Sequence, residues 1–216
     1  LKSRIGIGRV CIVADRGMIS AETVTELESD RYDMQYIFGV RMRSQKAVRE
    51  KIAECEIEKF ETVYGTRATK DDPSPLKVKE VEIDGNRYVI CFNEEQARKD
   101  AKTRQAVLEH LREKLKGDRK ALIGNKGFRK YLTMNKSGIS IEEDKIAADA
   151  KYDGYWVLRT NTQLSAVEVA LKYKMLWMVE RVFRDTKSLL RTRPIFHKTD
   201  ETIRGHVFCT FLALVV

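Results

Sequence analysis

Short apolar runs bounded by turn residues lie toward both ends of this chain, with a longer and more polar stretch between them. Arg9 to Ala14 (RVCIVA) is apolar and β-rich and stops at Asp15-Arg16-Gly17. It predicts a buried strand whose C-terminal end presents an acid and then turns. Ser20 to about Ser29 suits a short helix, with Ser20 as N-cap and Thr23 to Leu27 inside it. Tyr36 to Val40 (YIFGV) is a second buried-strand pattern. Strand, helix and strand in this order make a βα unit of the mixed α/β kind.

The texture then changes. Gln45 to about Tyr64 is charged and amphipathic, with Val48, Ile52, Cys55 and Ile57 at roughly helical spacing. The Pro cluster at Lys70 to Pro75 (KDDPSP) marks a boundary. Leu76 to Ile83 and Arg87 to Phe92 alternate apolar and polar about Asp84-Gly85-Asn86, a hairpin signature. Asn93 is placed to cap a long charged helix running to about Lys116 and closed by Gly117. Residues 118 to 149 are rich in Lys and in turn formers, with a strand pattern at Phe128 to Met134.

Tyr155 to Thr160 (YWVLRT) returns to the buried-strand pattern. Ser165-Ala166-Val167-Glu168 is a capping box, the Ser bonding the N3 amide and the Glu reaching back. The helix it opens is expected to run to about Leu190. From Gly205 the chain is apolar again, expected as a buried helix or strand. The economical reading is an α/β core in two parts, residues 1–44 and 151–216, interrupted by an α+β insertion over 45–150.

Composition narrows the partners. Lys and Arg number 41 against 32 Asp and Glu, a formal charge of +9 and a pI near 9.3. That excess suits a polyanion, because basic side chains gain affinity by displacing counterions from phosphates. An acidic membrane surface answers the same charge. The four cysteines are scattered with no C-x-x-C pair, and three histidines complete no zinc-ligand spacing. Such cysteines are expected as small apolar residues rather than bridges. No signal peptide or membrane-spanning run is present, and Leu1 in place of Met points to a fragment. Gly6-Ile7-Gly8 precedes its strand instead of following it, which excludes a dinucleotide loop.

The helix from Ala166 to Leu190 is apolar over most of its circumference and is expected to be buried. One stripe differs: Tyr173, Glu180 and Lys187 recur every seven residues, with Trp177 and Arg184 between them. A carboxylate in a buried stretch is costly unless it is paired or binds a metal. Arg184, at i+4, is the ordinary pairing partner for Glu180. The alternative needs a second acid nearby, and Asp15, at a strand end where ligands gather, is the candidate.

Asp15-Arg16-Gly17 after an apolar strand resembles the second acid of the RNase H-like DDE transposases of bacterial insertion sequences. The helix resembles the Y-(2)-R-(3)-E-(6)-K signature of their cut-and-paste group: Tyr173, Glu180 and Lys187 match, and Leu176 stands at the Arg position. The flanking YWVLRTN and RPIFHKTDETIRGHVF are similar to this group as well. The resemblance implies an RNase H-like mixed sheet with an insertion domain over about residues 45–150. It implies two Mg²⁺ ions, replaceable by Mn²⁺, held by Asp15 and Glu180 with a third acid, stabilising the attacking and leaving oxygens of phosphodiester cleavage and strand transfer.

On the same resemblance, Lys187, Arg184 and Arg16 would hold DNA phosphates, Tyr173 would touch the backbone, and Trp156 would stack on a flipped base. Trp156 as a packed strand residue is the competing reading. The implied partners are double-stranded DNA, at transposon ends and target, and a second copy in a homodimeric DNA complex. A membrane or small-molecule cofactor is not implied, and a bacterial cytoplasmic, nucleoid-associated setting is. The third acid belongs on an upstream strand, yet residues 1–14 contain no acid. This chain alone is therefore expected not to cut DNA. The rivals are a related nuclease that cuts without joining and a catalytically dead DNA-binding module.

Overall fold

The computed structural model describes residues 10–29, 34–63, 76–115, 126–135, 138–188 and 194–215. The Pro cluster at 70–75, the expected helix stop at Gly117 and the expected helix end at Leu190 lie outside them. The strands are β1 (Cys11–Ala14), β2 (Gln35–Gly39), β3 (Glu61–Val63), β4 (Leu76–Ile83), β5 (Asn86–Asn93), β6 (Leu132–Asn135), β7 (Gly138–Ile141) and β8 (Tyr155–Thr160). The helices are α1 (Ala21–Glu28), α2 (Lys46–Ala53), α3 (Glu94–Leu115), α4 (Lys126–Arg129), α5 (Glu143–Ala150), α6 (Ala166–Lys174), α7 (Leu176–Ser188) and α8 (Asp200–Val215).

A mixed six-stranded sheet in the order β1-β2-β8-β5-β4-β3 organises the chain. β1 and β2 run parallel, as a strand–helix–strand unit requires, and every other pairing is antiparallel. The period of two is legible residue by residue. Cys11 and Val13 of β1, Ile37 of β2 and Trp156 and Leu158 of β8 face one core, shared with Val169 and Ala170 of α6. Their neighbours Ile12, Ala14, Tyr36 and Phe38 face Val24 and Leu27 of α1. Tyr155 and Val157 face a third cluster that includes Val48 and Ile52 of α2.

Local signals set the ends of the elements. Ser20 caps α1 by accepting the Thr23 amide at 3.2 Å, and Asn93 Oδ1 accepts the Gln96 amide at 2.8 Å to open α3. Asp84 (φ 50°) and Gly85 (φ 72°) both adopt positive φ, the two-residue turn whose twist matches the β4–β5 hairpin. The capping box before α6 forms in full.

β3, β4 and β5 lie within the span read as an insertion, yet they pair into the sheet through β8. Beyond β5, Leu108 and Leu111 of α3 meet Phe128, Tyr131 and Leu132 in a separate small core.

Four expectations are corrected. The helical spacing over 45–64 covers only α2; the chain then forms a short 3₁₀ turn at Ile57–Lys59 and enters β3, because pairing with β4 outweighs the helical pattern. The strand pattern at Phe128 to Met134 splits into α4 and β6, since Phe128 packs beside Leu108 and Leu111 instead of joining a ladder. The long helix from Ala166 breaks at Met175 into α6 and α7, and α7 is not buried: Met178, Val179, Val182 and Phe183 are all half or nearly half exposed. Of these two helices it is α6 that packs on the sheet, through Val169 and Ala170. The closing apolar segment is a helix, α8, that starts earlier at Asp200 and exposes Val207, Phe208, Phe211 and Leu212. The four cysteines are free as expected, although Cys209 is exposed.

A charge network ties the second core to the loop after β2. Asp149 accepts from Tyr131 Oη at 2.6 Å and Lys130 Nζ at 2.9 Å, and pairs with Arg43 Nε at 2.9 Å. Burial works to raise the Asp149 carboxyl, but the Tyr131 and Lys130 hydrogen bonds and the Arg43 and Lys130 charges outweigh it, leaving it below the ordinary range. A depressed folded pKa stabilises above the unfolded value, about 3.9, and loses that contribution as pH falls through the folded value. Urea midpoints are expected to drop on acidification below about pH 4, and Asp149→Asn is expected to lower the neutral midpoint and flatten that acid limb. An unchanged acid limb in the variant would refute the assignment.

Candidate active site

Sheet geometry decides which residues meet at the C-terminal ends of β1 and β2. Asp15 follows Val13 by two positions and Gly39 follows Ile37 by two, so both continue the face covered by α6. There the Tyr173 hydroxyl, from the last turn of α6, donates to Asp15 Oδ1 at 2.8 Å. Asp15 is exposed and Tyr173 half-buried. Burial, the bond to Asp15 and the negative charges of Asp15 and Glu180 push the phenol well above its ordinary range, with Arg16 pulling the other way. Tyr173 thus sits in the field of both candidate acids, which are 165 positions apart in sequence (180 − 15).

Glu180, Arg184 and Lys187 are exposed on α7. No ion pair joins Glu180 to Arg184 among the described residues, so the ordinary account of this carboxylate is not realised. Trp156 is half-buried on β8 opposite Cys91, in the core beneath α6, and its buried Nε1 finds no hydrogen-bond partner among the described residues. Arg16 is exposed beside Asp15.

Sequence reasoning missed three residues here. An open cleft of about 350 Å³ beside Asp15 and Arg16 is also lined by Arg41 and Arg43. Arg41 Nε donates to the Arg16 carbonyl at 3.2 Å, which ties the two loops together. The RMR triplet directly after a buried strand was the available signal, since ligands gather at strand C-termini in open α/β sheets. Gly39 is the third: a Cβ built there would lie 2.5 Å from the Tyr173 hydroxyl and 3.0 Å from the Arg16 amide.

The arrangement presents a carboxylate oriented by a phenol, with a second carboxylate acting on the same phenol and arginines along one side. Carboxylate oxygens are the donors that a hard divalent cation takes. Asp15 and Glu180 are of that chemistry, and no group of three or more His, Cys, Asp or Glu residues suited to hold a metal ion is gathered among the described residues. No helix among the described residues is long and apolar enough to cross a membrane.

A family profile described as a transposase DDE domain matches residues 3–216. No curated protein and no solved structure matches the chain.

Proposed function

We propose, for a chain that belongs to the transposase DDE domain family, that Asp15 and Glu180 are two of the three acids of an insertion-sequence transposase of the cut-and-paste group. The observation that carries this reading is the meeting of Tyr173, a signature residue, with Asp15 in the field of Glu180. The core is read as RNase H-like, with Asp15 just beyond a strand parallel to its neighbour and Glu180 on α7, the second helix after β8.

Bound Mg²⁺, or Mn²⁺ in its place, would supply the charge that stabilises oxygens leaving and attacking phosphorus. The chain's own residues do the rest. Asp15 and Glu180 would hold the cation. Tyr173 fixes the Asp15 carboxylate, and Arg16 and Arg41 flank it where a DNA phosphate enters the cleft. Lys187 and Arg184, exposed further along α7, extend the positive surface toward the duplex. None of residues 1–14 is acidic, so that stretch does not supply the third acid of this reading. In the active complex two copies would hold the transposon ends and the target.

Titration of the 216-residue chain with Mn²⁺, read by the relaxation of water protons, tests the acid pair. Asp15→Asn and Glu180→Gln should each weaken binding at least tenfold, and equal affinity in both variants and the parent would defeat the reading. DNA binding offers a separate check. Lys187→Ala is expected to weaken binding across all sequences and reduce the salt slope, d log K/d log [salt], by about 1. An unaltered slope would remove Lys187 from the interface.

A further inference from the structure

We infer that Gly39 is a positioning residue: its missing side chain is the seat that lets the Tyr173 hydroxyl reach and orient the Asp15 carboxylate. This rests on the reading of Asp15 as a cation ligand.

Gly39 is the last residue of β2, paired with Leu158 of β8 and partly buried beneath α6. An alanine Cβ at this position would approach the Tyr173 hydroxyl to 2.5 Å, its Cζ to 3.2 Å and the Arg16 amide nitrogen to 3.0 Å. All three contacts are tighter than carbon normally tolerates. The Arg16 amide is backbone and adjoins Asp15, so it yields less cheaply than a side-chain end. The phenol is the end of a side chain and can swing. An added methyl therefore displaces the Tyr173 ring tip and breaks its 2.8 Å bond to Asp15 Oδ1. The three residues before it in β2, Tyr36, Ile37 and Phe38, are all buried. A glycine at its final position weakens a strand, so the space it leaves calls for a reason, and the phenol occupies that space.

The bond constrains the ligand. A carboxylate held through one oxygen presents the other in a set direction, and loss of such a supporting hydrogen bond typically costs 10–100-fold in metal affinity. Tyr173 holds Asp15 from a helix whose own position comes from Val169 and Ala170 on the sheet. Gly39 thus acts on Asp15 through Tyr173, without touching the cation.

The test is a double-mutant cycle on this chain with Gly39→Ala, Tyr173→Phe and the pair, each checked for an intact near-ultraviolet spectrum. Mn²⁺ affinity is the readout. Each single variant is expected to lose about tenfold or more, and the pair no more than Tyr173→Phe alone, because without the hydroxyl the closest contact is gone. A merely structural role for Gly39 would instead add its loss to that of Tyr173→Phe.

Additive losses, or full Mn²⁺ affinity in Gly39→Ala, would each overturn the inference. Asp15→Asn separates this from failure of the underlying assignment. If that variant binds Mn²⁺ as well as the parent, the assignment of Asp15 has failed; if it loses affinity while Gly39→Ala does not, only the inference has.

Discussion

Asp15→Asn, introduced into a transposase that carries all three acids, is expected to reduce cleavage of transposon-end DNA by on the order of 10²–10³-fold or more, with little change in stability. Asn keeps the shape of Asp and an oxygen in place of Oδ1, so the Tyr173 hydroxyl retains its acceptor. The residue is exposed just beyond β1, and exposed positions tolerate such exchanges within about 0.5 kcal/mol. What disappears is the negative charge that a divalent cation requires. Glu180→Gln makes the matching case on α7, where the side chain is exposed as well. Cleavage rates on end-containing oligonucleotides, measured beside urea midpoints, separate chemistry from folding. Cleavage within a few-fold of the parent enzyme would place the chemistry elsewhere.

Leu158→Ala is expected to have the largest effect on stability, a loss of about 2–5 kcal/mol. Leu158 is fully buried on β8, with Gly39 on one side and Val89 on the other. It shares its core with Val169 and Ala170, so its side chain is the floor on which α6 rests. Truncation opens a cavity at the centre of the sheet, where the strands on both flanks hinder collapse. Val179→Ala on α7 provides the contrast, since that side chain is half exposed and should change stability by no more than about 0.5 kcal/mol. Urea unfolding of the two variants should therefore differ widely in midpoint at similar slope. If Val179→Ala costs as much as Leu158→Ala, the α7 face is covered in solution and the burial pattern described above is wrong.

Leu158 and Val179 also illustrate what apolar pattern can convey. In β8 the alternation of Trp156 and Leu158 against Tyr155 and Val157 was legible because each face of a sheet strand reports its own core. In α7 the apolar ring suggested burial, yet the pattern records only what the side chains favour, not whether a covering layer is present. The same holds for Phe208 and Phe211 on α8, which are apolar and more than half exposed.

What the sequence determined by itself was local. Ser20, Asn93, Asp84-Gly85 and the Ser165–Glu168 box act through hydrogen bonds and dihedral preferences within four residues, so their elements followed from the residues alone. The seven-residue recurrence of Tyr173, Glu180 and Lys187 was legible too, but the break at Met175 sets Tyr173 on α6 and the other two on α7. Tertiary structure decided the rest. It routed β3, β4 and β5 into the sheet through β8, because ladder pairing joins strands far apart in sequence. It brought Arg41 and Arg43 to the cleft beside Asp15. It also set Tyr173 over Gly39, a contact that depends on how far α6 stands from β2 and that no local periodicity records.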